Sequence, residues 1–483
     1  MILIRNLTKY IFKQPLFEEL SLTIQPEDRI GIVGPNGGGK TTLLKIIAGI
    51  ETADQGFVDT GKERIGYLPQ EPEFQSYDTI ESCLAAPDHK MEKVLMQVNL
   101  TGVDLQTTTT KLSGGQKTKL ALAKVLLENP SVLLLDEPTN HLDSSALAWL
   151  RNFINEFRGS VVIVSHDRSL LNNVATKIIE IDSINQEVNG FTGNYDNYLI
   201  EKEKLNEKRE SAYSLQERKR KQMEEWIRHR QDIASSIPNP AMGKQIQMMK
   251  RRLQREVLDN ELNKPVEYNS FKGKSLSGDA PTGKLIIRAQ DVAKSLGDKQ
   301  ILKDINFEVR GSERLLISGD NGSGKTTLLK LLTNDLQPDS GAISIGPNVN
   351  FGYFAQEHEI LDLEKTVLDE FLSTDRLLIG SRNPRSVLGN FLFKNDDVFK
   401  KVKELSLGQR VRLLFAKLMY QQNELLILDE PTNHLDIASK ENIEQALQEY
   451  RGALIVVSHD KYFIDQIGIT SQLVLEQGIM KRV

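Results

Sequence analysis

Cysteine is almost absent, with Cys83 the only one in 483 residues. A lone thiol excludes an intrachain disulfide and leaves too few thiolates for a structural zinc site or an iron–sulfur cluster. Long apolar runs are missing too. Stretches such as Val132 to Leu135 and Ala453 to Val457 fall far short of the ~20 residues a membrane helix requires. The N-terminal Met1-Ile2-Leu3-Ile4-Arg5 reads as an opening strand and lacks the basic-then-apolar layout of a secretory signal. These absences point to a cytoplasmic protein without a membrane partner. Of the seven histidines, His141, His166, His434 and His459 stand in loops without Cys or His neighbours at ligand spacing, which argues against a metal cluster. With 39% hydrophobic and 26% charged residues, the chain is of globular composition. Its length suits two domains of roughly 200 residues plus a connector.

What the chain has in abundance is repetition. Asp-Glu-Pro-Thr-Asn-His-Leu-Asp occurs at Asp136 to Asp143 and again at Asp429 to Asp436, each time after an apolar run, Val132 to Leu135 or Leu425 to Leu428. Such runs read as buried parallel strands, so each copy sets two carboxylates at a strand's C-terminal end, where open α/β sheets place ligands. Upstream stand two glycine-rich loops of P-loop spacing, Gly34-Pro35-Asn36-Gly37-Gly38-Gly39-Lys40-Thr41 and Gly319-Asp320-Asn321-Gly322-Ser323-Gly324-Lys325-Thr326. Both follow short apolar strands (Ile30 to Val33, Leu315 to Ser318) and precede helical stretches (Thr42 to Ala48, Thr327 to Leu332). In that context the backbone N–H groups can wrap a triphosphate, the lysine reaches its outer phosphates and the threonine hydroxyl can ligate Mg²⁺.

Further elements recur in the same order. Gln70 and Gln356 follow strand-like runs at Ile65 to Leu68 and Phe351 to Phe354. Ser113-Gly114-Gly115-Gln116 and Ser406-Leu407-Gly408-Gln409 open helices, and Ser165-His166-Asp167 and Ser458-His459-Asp460 follow strands. The copies lie 285 residues apart at the lysines and 293 at the last histidines. Two α/β modules therefore stand in tandem.

The segment between them carries a different signal. The whole chain has net charge −5, yet Arg218 to Arg255 hold eleven basic residues against three acidic ones, which leaves −13 for the remainder. The basic residues are Arg218, Lys219, Arg220, Lys221, Arg228, Arg230, Lys244, Lys250, Arg251, Arg252 and Arg255. Helical spacing of Leu205, Ala212, Leu215, Met223 and Trp226 predicts one arm over about Asn197 to Gln231. That of Ile246, Met249, Leu253 and Val257 predicts a second over about Lys244 to Asn263. Ser235 to Pro240, with two prolines, reads as the turn, and Lys264 to Gly283 as a return loop. Arms of this length project on the order of 50 Å. A plain spacer would serve with mixed charge. Here the cations concentrate toward the far end on both arms, an arrangement that counterion release on phosphates would reward and that suits an RNA target.

The order of P-loop, glutamine loop, signature, Asp-Glu pair and switch histidine resembles the ABC ATPase cassette. Two copies of Asp-Glu-Pro-Thr-Asn-His-Leu-Asp around a helical connector resemble the ABC-F family, twin-cassette proteins that act on ribosomes. The resemblance covers essentially the whole chain. It implies two tandem P-loop ABC ATPase domains at residues 1–193 and 284–483, joined by an α-helical hairpin linker at 194–283. ATP would be held by Gly34, Asn36, Gly37, Gly39, Lys40 and Thr42 in the first cassette, and by Gly319, Asn321, Gly322, Gly324, Lys325 and Thr327 in the second. Mg²⁺ falls to Thr41, Asp136 and Gln70, and to Thr326, Asp429 and Gln356. Glu137 and Glu430 are the implied general bases, with His166 and His459 on the γ-phosphate. Ser113 with Gly115, and Ser406 with Gly408, would each face the other cassette's P-loop, so that a single chain closes on itself as a monomer. The linker is expected in the tRNA exit site near the peptidyl transferase centre, contacting rRNA and tRNA.

Several positions depart from the family pattern. Leu407 replaces the first signature glycine, which predicts unequal sites. An aromatic that stacks on adenine is expected near Tyr10, whereas the second copy has Ser295-Leu296. Only 43 residues separate Gln70 from Ser113 and 24 follow His459, leaving no room for an extra arm or a C-terminal extension. These features look more like the members that protect ribosomes from antibiotics than like a housekeeping translation factor. The tandem ATPase subunit of a sugar importer is a remoter alternative, disfavoured by the basic hairpin and by a catalytic glutamate in both copies.

Overall fold

Val132–Asp136 and Ser160–Val164 are buried along their whole length. A strand covered on both faces has no polar side, which is why these segments are continuous aliphatic runs rather than alternating ones. In the computed structural model they form the centre of a sheet whose five parallel strands run in the order Ile65–Leu68, Val132–Asp136, Ser160–Val164, Arg29–Val33 and Lys177–Asp182. The second cassette repeats it with Phe351–Phe354, Leu425–Asp429, Ala453–Val457, Arg314–Ser318 and Ser471–Glu476, and Ile479–Arg482 adds an antiparallel edge. The described residues are all those outside 12–13, 76–77, 141, 143, 183–186, 237–239, 261, 263–282, 298, 321, 356–360, 374–382, 394, 422, 434 and 483.

Alternation survives as a division between two cores. Leu133, Leu135, Val161 and Ile163 pack with Leu120 and Leu122 of the helix Gly114–Leu127. Val132, Leu134, Val162 and Val164 pack on the other face with Leu43, Leu44 and Ile47 of the helix Lys40–Ile47. That second core also takes Ile2, Ile4 and Leu22 from a three-stranded antiparallel sheet, in which Ile2–Ile11 lies between Gln14–Ile24 and Gln55–Asp59. Leu285–Leu296, Lys299–Arg310 and Ser340–Ile345 do the same for the second cassette. The predicted strands Ile65 to Leu68 and Phe351 to Phe354 are matched to the residue, those before the P-loops and the Asp-Glu pairs extend by one, and the opening strand expected at Met1 to Arg5 runs over Ile2–Ile11. Both P-loop helices begin at the lysine rather than two residues later.

By contacts the chain divides into Met1–Gly190 with Asn269–Val483, which holds both cassettes, and Phe191–Tyr268. Within the latter, Tyr195–Ser236 is a single helix of 42 residues, about 63 Å long at the α-helical rise. Pro240–Glu256 is the second helix. Ser235 and Ser236 thus complete the first arm rather than breaking it, and Pro240 opens the second, at the one helical position where a missing N–H costs nothing. Pro238 and Asn239 of the expected turn lie outside the described residues, as do residues 264–282 of the expected return loop.

The second arm turns Ile246, Met249, Leu253 and Val257 inward as its spacing predicts. In the first arm Leu205, Met223 and Trp226 are buried or half-buried as expected, whereas Leu215 is 69% exposed and Ala212 is exposed as well. Its inward positions are Tyr213, Gln216, Arg220, Met223, Ile227 and Arg230. Steps of three and four alternate along that row, the 3.5-residue repeat of helices that wind around each other. Tyr195 and Tyr198 are buried at the base, packed on each other and, for Tyr198, on Phe191. None of the described helices is long and apolar enough to cross a membrane.

Leu134, fully buried between strands and P-loop helix, should lose about 2–5 kcal/mol of stability on change to Ala. The same truncation at Leu215 should stay within about 0.5 kcal/mol, both read from chemical denaturation.

Candidate active site

Each P-loop ends in a glycine that its helix needs. Gly39 caps Lys40–Ile47 with φ 90°, and Gly324 caps Lys325–Leu332 with φ 107°. A Cβ at Gly39 would approach Leu16 and Phe17 to 3.2 Å, and one at Gly324 would meet Ile301 at 2.8 Å. Only glycine takes that left-handed conformation freely while letting the loop pass so close. The helices therefore start at the lysines, with their first N–H groups turned toward the loop. Lys40 Nζ donates to the carbonyls of Gly34 and Pro35 at 2.9 Å each, and Lys325 Nζ to those of Gly319 and Asp320 at 2.7 and 3.0 Å.

Asp136 and Asp429 are the last residues of their strands and are buried. Thr41 donates its hydroxyl to Asp136 Oδ1 at 3.1 Å, and Tyr67 donates to Oδ2 at 3.3 Å. Burial pushes the Asp136 carboxyl up, partly offset by those two hydroxyls. Burial raises Asp429 likewise, and both of its oxygens are buried without a hydrogen-bond partner, the neighbouring Thr326 hydroxyl offsetting only part of the effect. A carboxylate and a hydroxyl beside a lysine fit Mg²⁺, which takes few protein ligands and fills its shell with phosphate and water oxygens. Among the described residues no group of three or more His, Cys, Asp or Glu could cage a metal.

The next residue in each copy leaves the strand abruptly. Glu137 and Glu430 both sit at φ 47°, a left-handed conformation unusual for glutamate. Each donates its N–H to a neighbouring strand, Glu137 to Val164 O and Glu430 to Val457 O, both at 2.9 Å. Strain of this kind is held by surrounding structure and clusters at working sites. Burial pushes the Glu137 carboxyl up to about 7 despite the Lys40 charge, and Glu430, desolvated and beside Asp429, up to about 8. His166 Nε2 lies 3.3 Å from Glu137 Oε1 and 3.0 Å from Asn36 Oδ1. Burial, then the Lys40 and Lys440 charges, hold His166 neutral. His459 Nε2 stands 3.5 Å from Glu430 Oε1.

These groups share one cavity of about 970 Å³ between the cassettes. Its walls include Asn36, Gly37, Gly39, Lys40, Thr41, Thr42, Gln70, Glu137 and His166 from the first cassette. From the second come Gly322, Gly324, Lys325, Thr326, Thr327, Asp429, Glu430 and His459. Asn321 and Gln356 lie outside the described residues. Ser113 and Ser406 cap their helices, each accepting at 3.3 Å from the N–H of the glutamine three residues on, whose side chain accepts in return. Gly114 and Leu407 line the cavity, whereas Ser113, Gly115, Ser406 and Gly408 are not among its described walls. Nor is Tyr10, whose hydroxyl donates to Glu18 at 2.9 Å. Ile11 and Leu16 stand there instead, with Ile301 in the second cassette.

Motif spacing does not reveal the contacts that cross between cassettes. Asp436 Oδ2 accepts from Asn36 N at 3.1 Å, Lys440 Nζ donates to the His166 carbonyl at 3.0 Å, and Arg168 forms a buried ion pair with Glu444. Asp436 closes the repeated octapeptide, but Lys440, Arg168 and Glu444 belong to no motif. The signal that finds them is difference: the positions of Lys440, Glu444 and Arg168 hold Leu147, Arg151 and Lys461 in the other copy.

The hairpin, taken by itself, keeps most of its cations at the surface. Arg218, Lys219, Lys221, Arg228, Lys244, Lys250, Arg251, Arg252 and Arg255 are exposed, and Arg220 and Arg230 are half-buried. Glu256 pairs with Lys219 and Arg252 at 2.9 Å each and Arg255 at 3.9 Å, while Arg220 pairs with Glu217 at 2.9 Å. Arg230 lies 5.4 Å over the Trp226 ring. Among the described residues, Arg228, Lys244, Lys250 and Arg251 have no such partner.

The raised Glu137 carboxyl fixes a sign. The fold favours the protonated form, so this group's contribution to stability is complete below its ordinary range near 4.5 and is lost as pH rises through about 7. Glu137→Gln removes the ionisation, and its melting temperature should exceed that of the parent at pH 8 by more than at pH 5.

A model described as ABC transporter matches residues 17–140 and 302–433, and a second model of the same description, an extension of the cassette, matches residues 181–270. The ATP-binding protein YdiF of Bacillus subtilis is 36% identical over 514 residues, covering 96% of this chain and 78% of that protein. The energy-dependent translational throttle protein EttA of Haemophilus influenzae is 33% identical, covering 94% and 88%. An archaeal ribosome recycling factor, aABCE1, solved with the ribosomal stalk protein aP1, has the same fold, with a TM-score of 0.67 at 21% identity over 98% of this chain and 89% of that one. Paired cassettes around a helical insertion, and relatives of this kind along nearly the whole length, establish that the chain belongs to the ABC-F family of ATPases.

Proposed function

We propose that this ATPase binds the ribosome, with ATP drawing the cassettes together and the hairpin reaching rRNA and tRNA between the exit site and the peptidyl transferase centre. The observation that carries the reading is a single cavity walled by two P-loops, with hydrogen bonds that already cross it. A ligand touching both walls joins them, and removing its outer phosphate removes the bond. Likeness to a translational throttle protein supports the ribosome as the place where that cycle is used.

In each site the lysine, freed from its loop carbonyls, neutralises the outer phosphates, and the first N–H groups of the P-loop helix add fixed positive ends. Gly34, Gly37 and Gly39, and Gly319, Gly322 and Gly324, admit the phosphates to the backbone. Thr42 and Thr327 follow at the helix start, and the helix ends at Ser113 with Gly115 and at Ser406 with Gly408 offer N–H groups from the opposite cassette. Mg²⁺ would be held by Thr41, Asp136 and Gln70, and by Thr326 and Asp429, where it supplies charge to the leaving phosphates. Glu137 and Glu430, desolvated and basic enough to accept a proton near neutrality, orient and deprotonate the attacking water. Neutral His166, and His459 in the second site, donate to the γ-phosphate.

The hairpin's exposed cations have phosphates as their natural counterparts. Lys250 and Arg251, unpaired among the described residues, should contribute more than Arg252 and Arg255, which share Glu256. The 43-position step from Gln70 to Ser113 holds the short helices Ile80–Leu84 and Asp88–Gln97 rather than an added arm. With Leu407 in the signature, this supports protection of the ribosome from antibiotics as the cellular role, against a translation-factor role supported by the likeness to EttA.

Changing Glu137 and Glu430 together to Gln should slow hydrolysis by about 10²–10⁴-fold and make the protein pellet with ribosomes only when ATP is present. Pelleting indifferent to ATP rejects the clamp. In that background, Gln at Lys250, Arg251, Arg252 and Arg255 should weaken binding and lower its salt slope by roughly three, and an unchanged slope rejects the RNA contact. Expression of the parent that raises antibiotic tolerance selects the protective role, and trapping without tolerance selects the translation factor.

A further inference from the structure

We propose that Lys440 of the second cassette is a positioning residue for the ATP site of the first, so that closure is coupled to hydrolysis at one of the two sites only. The helix Ile437–Glu449 begins at Asp436, whose Oδ1 caps it by accepting from Ser439 N at 2.9 Å. The other oxygen, Oδ2, reaches across to accept from Asn36 N at 3.1 Å. One turn in, the Lys440 side chain is buried to 9% exposure, with Nζ donating to the His166 carbonyl at 3.0 Å and to Asp460 Oδ2 at 2.9 Å. His166 and Asn36 are themselves partners at 3.0 Å. One helix end therefore grips both members of the pair that faces Glu137.

A further turn along, Glu444 meets Arg168, two residues after His166, in an ion pair buried from solvent. The Arg168 guanidinium also stacks 5.3 Å from the Tyr462 ring. A buried pair lends direction to a contact more than it lends stability, because each partner is costly without the other. It fixes how the two surfaces meet.

The reciprocal contact cannot form in the same way. Counting from the aspartates that end the two octapeptides, Leu147 stands where Lys440 does, and both line the cavity. An aliphatic side chain has no N–H for the His459 carbonyl. Arg151 and Lys461 carry like charges at the positions where Glu444 and Arg168 carry opposite ones. Separation of the cassettes thus removes from the His166 site two directed contacts, those of Lys440 and Glu444, that the other copy's residues cannot make. At the His459 site Leu147 offers no equivalent.

ATP turnover by the full chain in two backgrounds tests this. Glu430→Gln leaves the first site as the active one, and Glu137→Gln leaves the second. Lys440→Leu should lower kcat roughly tenfold in the first background, the loss expected of one charge-assisted hydrogen bond. KM should stay within about twofold there, and in the second background, where Lys440 meets Asp460 beside His459, kcat should fall by much less than in the first. Lys440→Arg should restore most of the rate. Amide hydrogen exchange in the parent should quicken more around His166 than around His459 when Lys440 becomes Leu. Should the leucine variant fail to fold, Lys440→Gln, which keeps an N–H donor without the charge, takes its place and should retain part of the rate in the first background alone. Equal losses in the two backgrounds, no loss in either, or a loss confined to KM overturns the proposal.

Discussion

Carboxylates forced out of water at the end of a buried strand set the terms for everything else in the cassettes. Val132–Asp136 and Leu425–Asp429 are buried through their last residue, so the Asp-Glu pair that begins there is held largely out of bulk water beside the cavity. Desolvation alone would leave these groups protonated and inert. The lysine of the P-loop, the threonine hydroxyl and the histidine backbone N–H oppose it, and the outcome for Glu137 is a carboxyl near neutrality rather than far above it. The parallel sheet, the two cores that cover it and the glycine that starts the P-loop helix all serve to keep those opposing groups within reach.

Much of this was legible in the sequence because each motif needs a particular backbone. Aliphatic runs ending in Asp-Glu define doubly covered strands, and Gly-Lys-Thr after such a run defines a helix start. Ser-x-x-Gln in both signatures defines a capping box, and the structure makes both. What escaped was decided by the environment of a residue rather than by its type. Tyr10 has the right ring at nearly the right place, but a strand alternates faces, and its neighbour Ile11 is the one that reaches the cavity. Leu215 fits a helical stripe counted at 3.6 residues and misses the stripe that two mutually winding helices use. Lys440 carries no motif and is meaningful only beside Leu147.

Duplication frames that last point. Two copies of one module begin with identical chemistry, and a symmetric pair would have to open and close at both sites alike. Divergence at positions outside the motifs is the cheapest way to break this equivalence, since it leaves phosphate handling intact. Lys440 is a substitution of this kind, whereas Leu407 breaks the equivalence within the signature itself, and both face the shared cavity.

Glu256 has a consequence for the hairpin. It gathers Lys219 from one arm and Arg252 and Arg255 from the other around a single carboxylate, and hydrogen bonds from Lys219 and Arg252, with their charges, hold that carboxyl below its usual range. An acid tied in this way holds the three cations around one anion, the arrangement a phosphate oxygen would also need. On the RNA-binding role proposed above, docking would exchange one anion for another within a cluster already assembled, and the arms would not need to reorganise as they arrive.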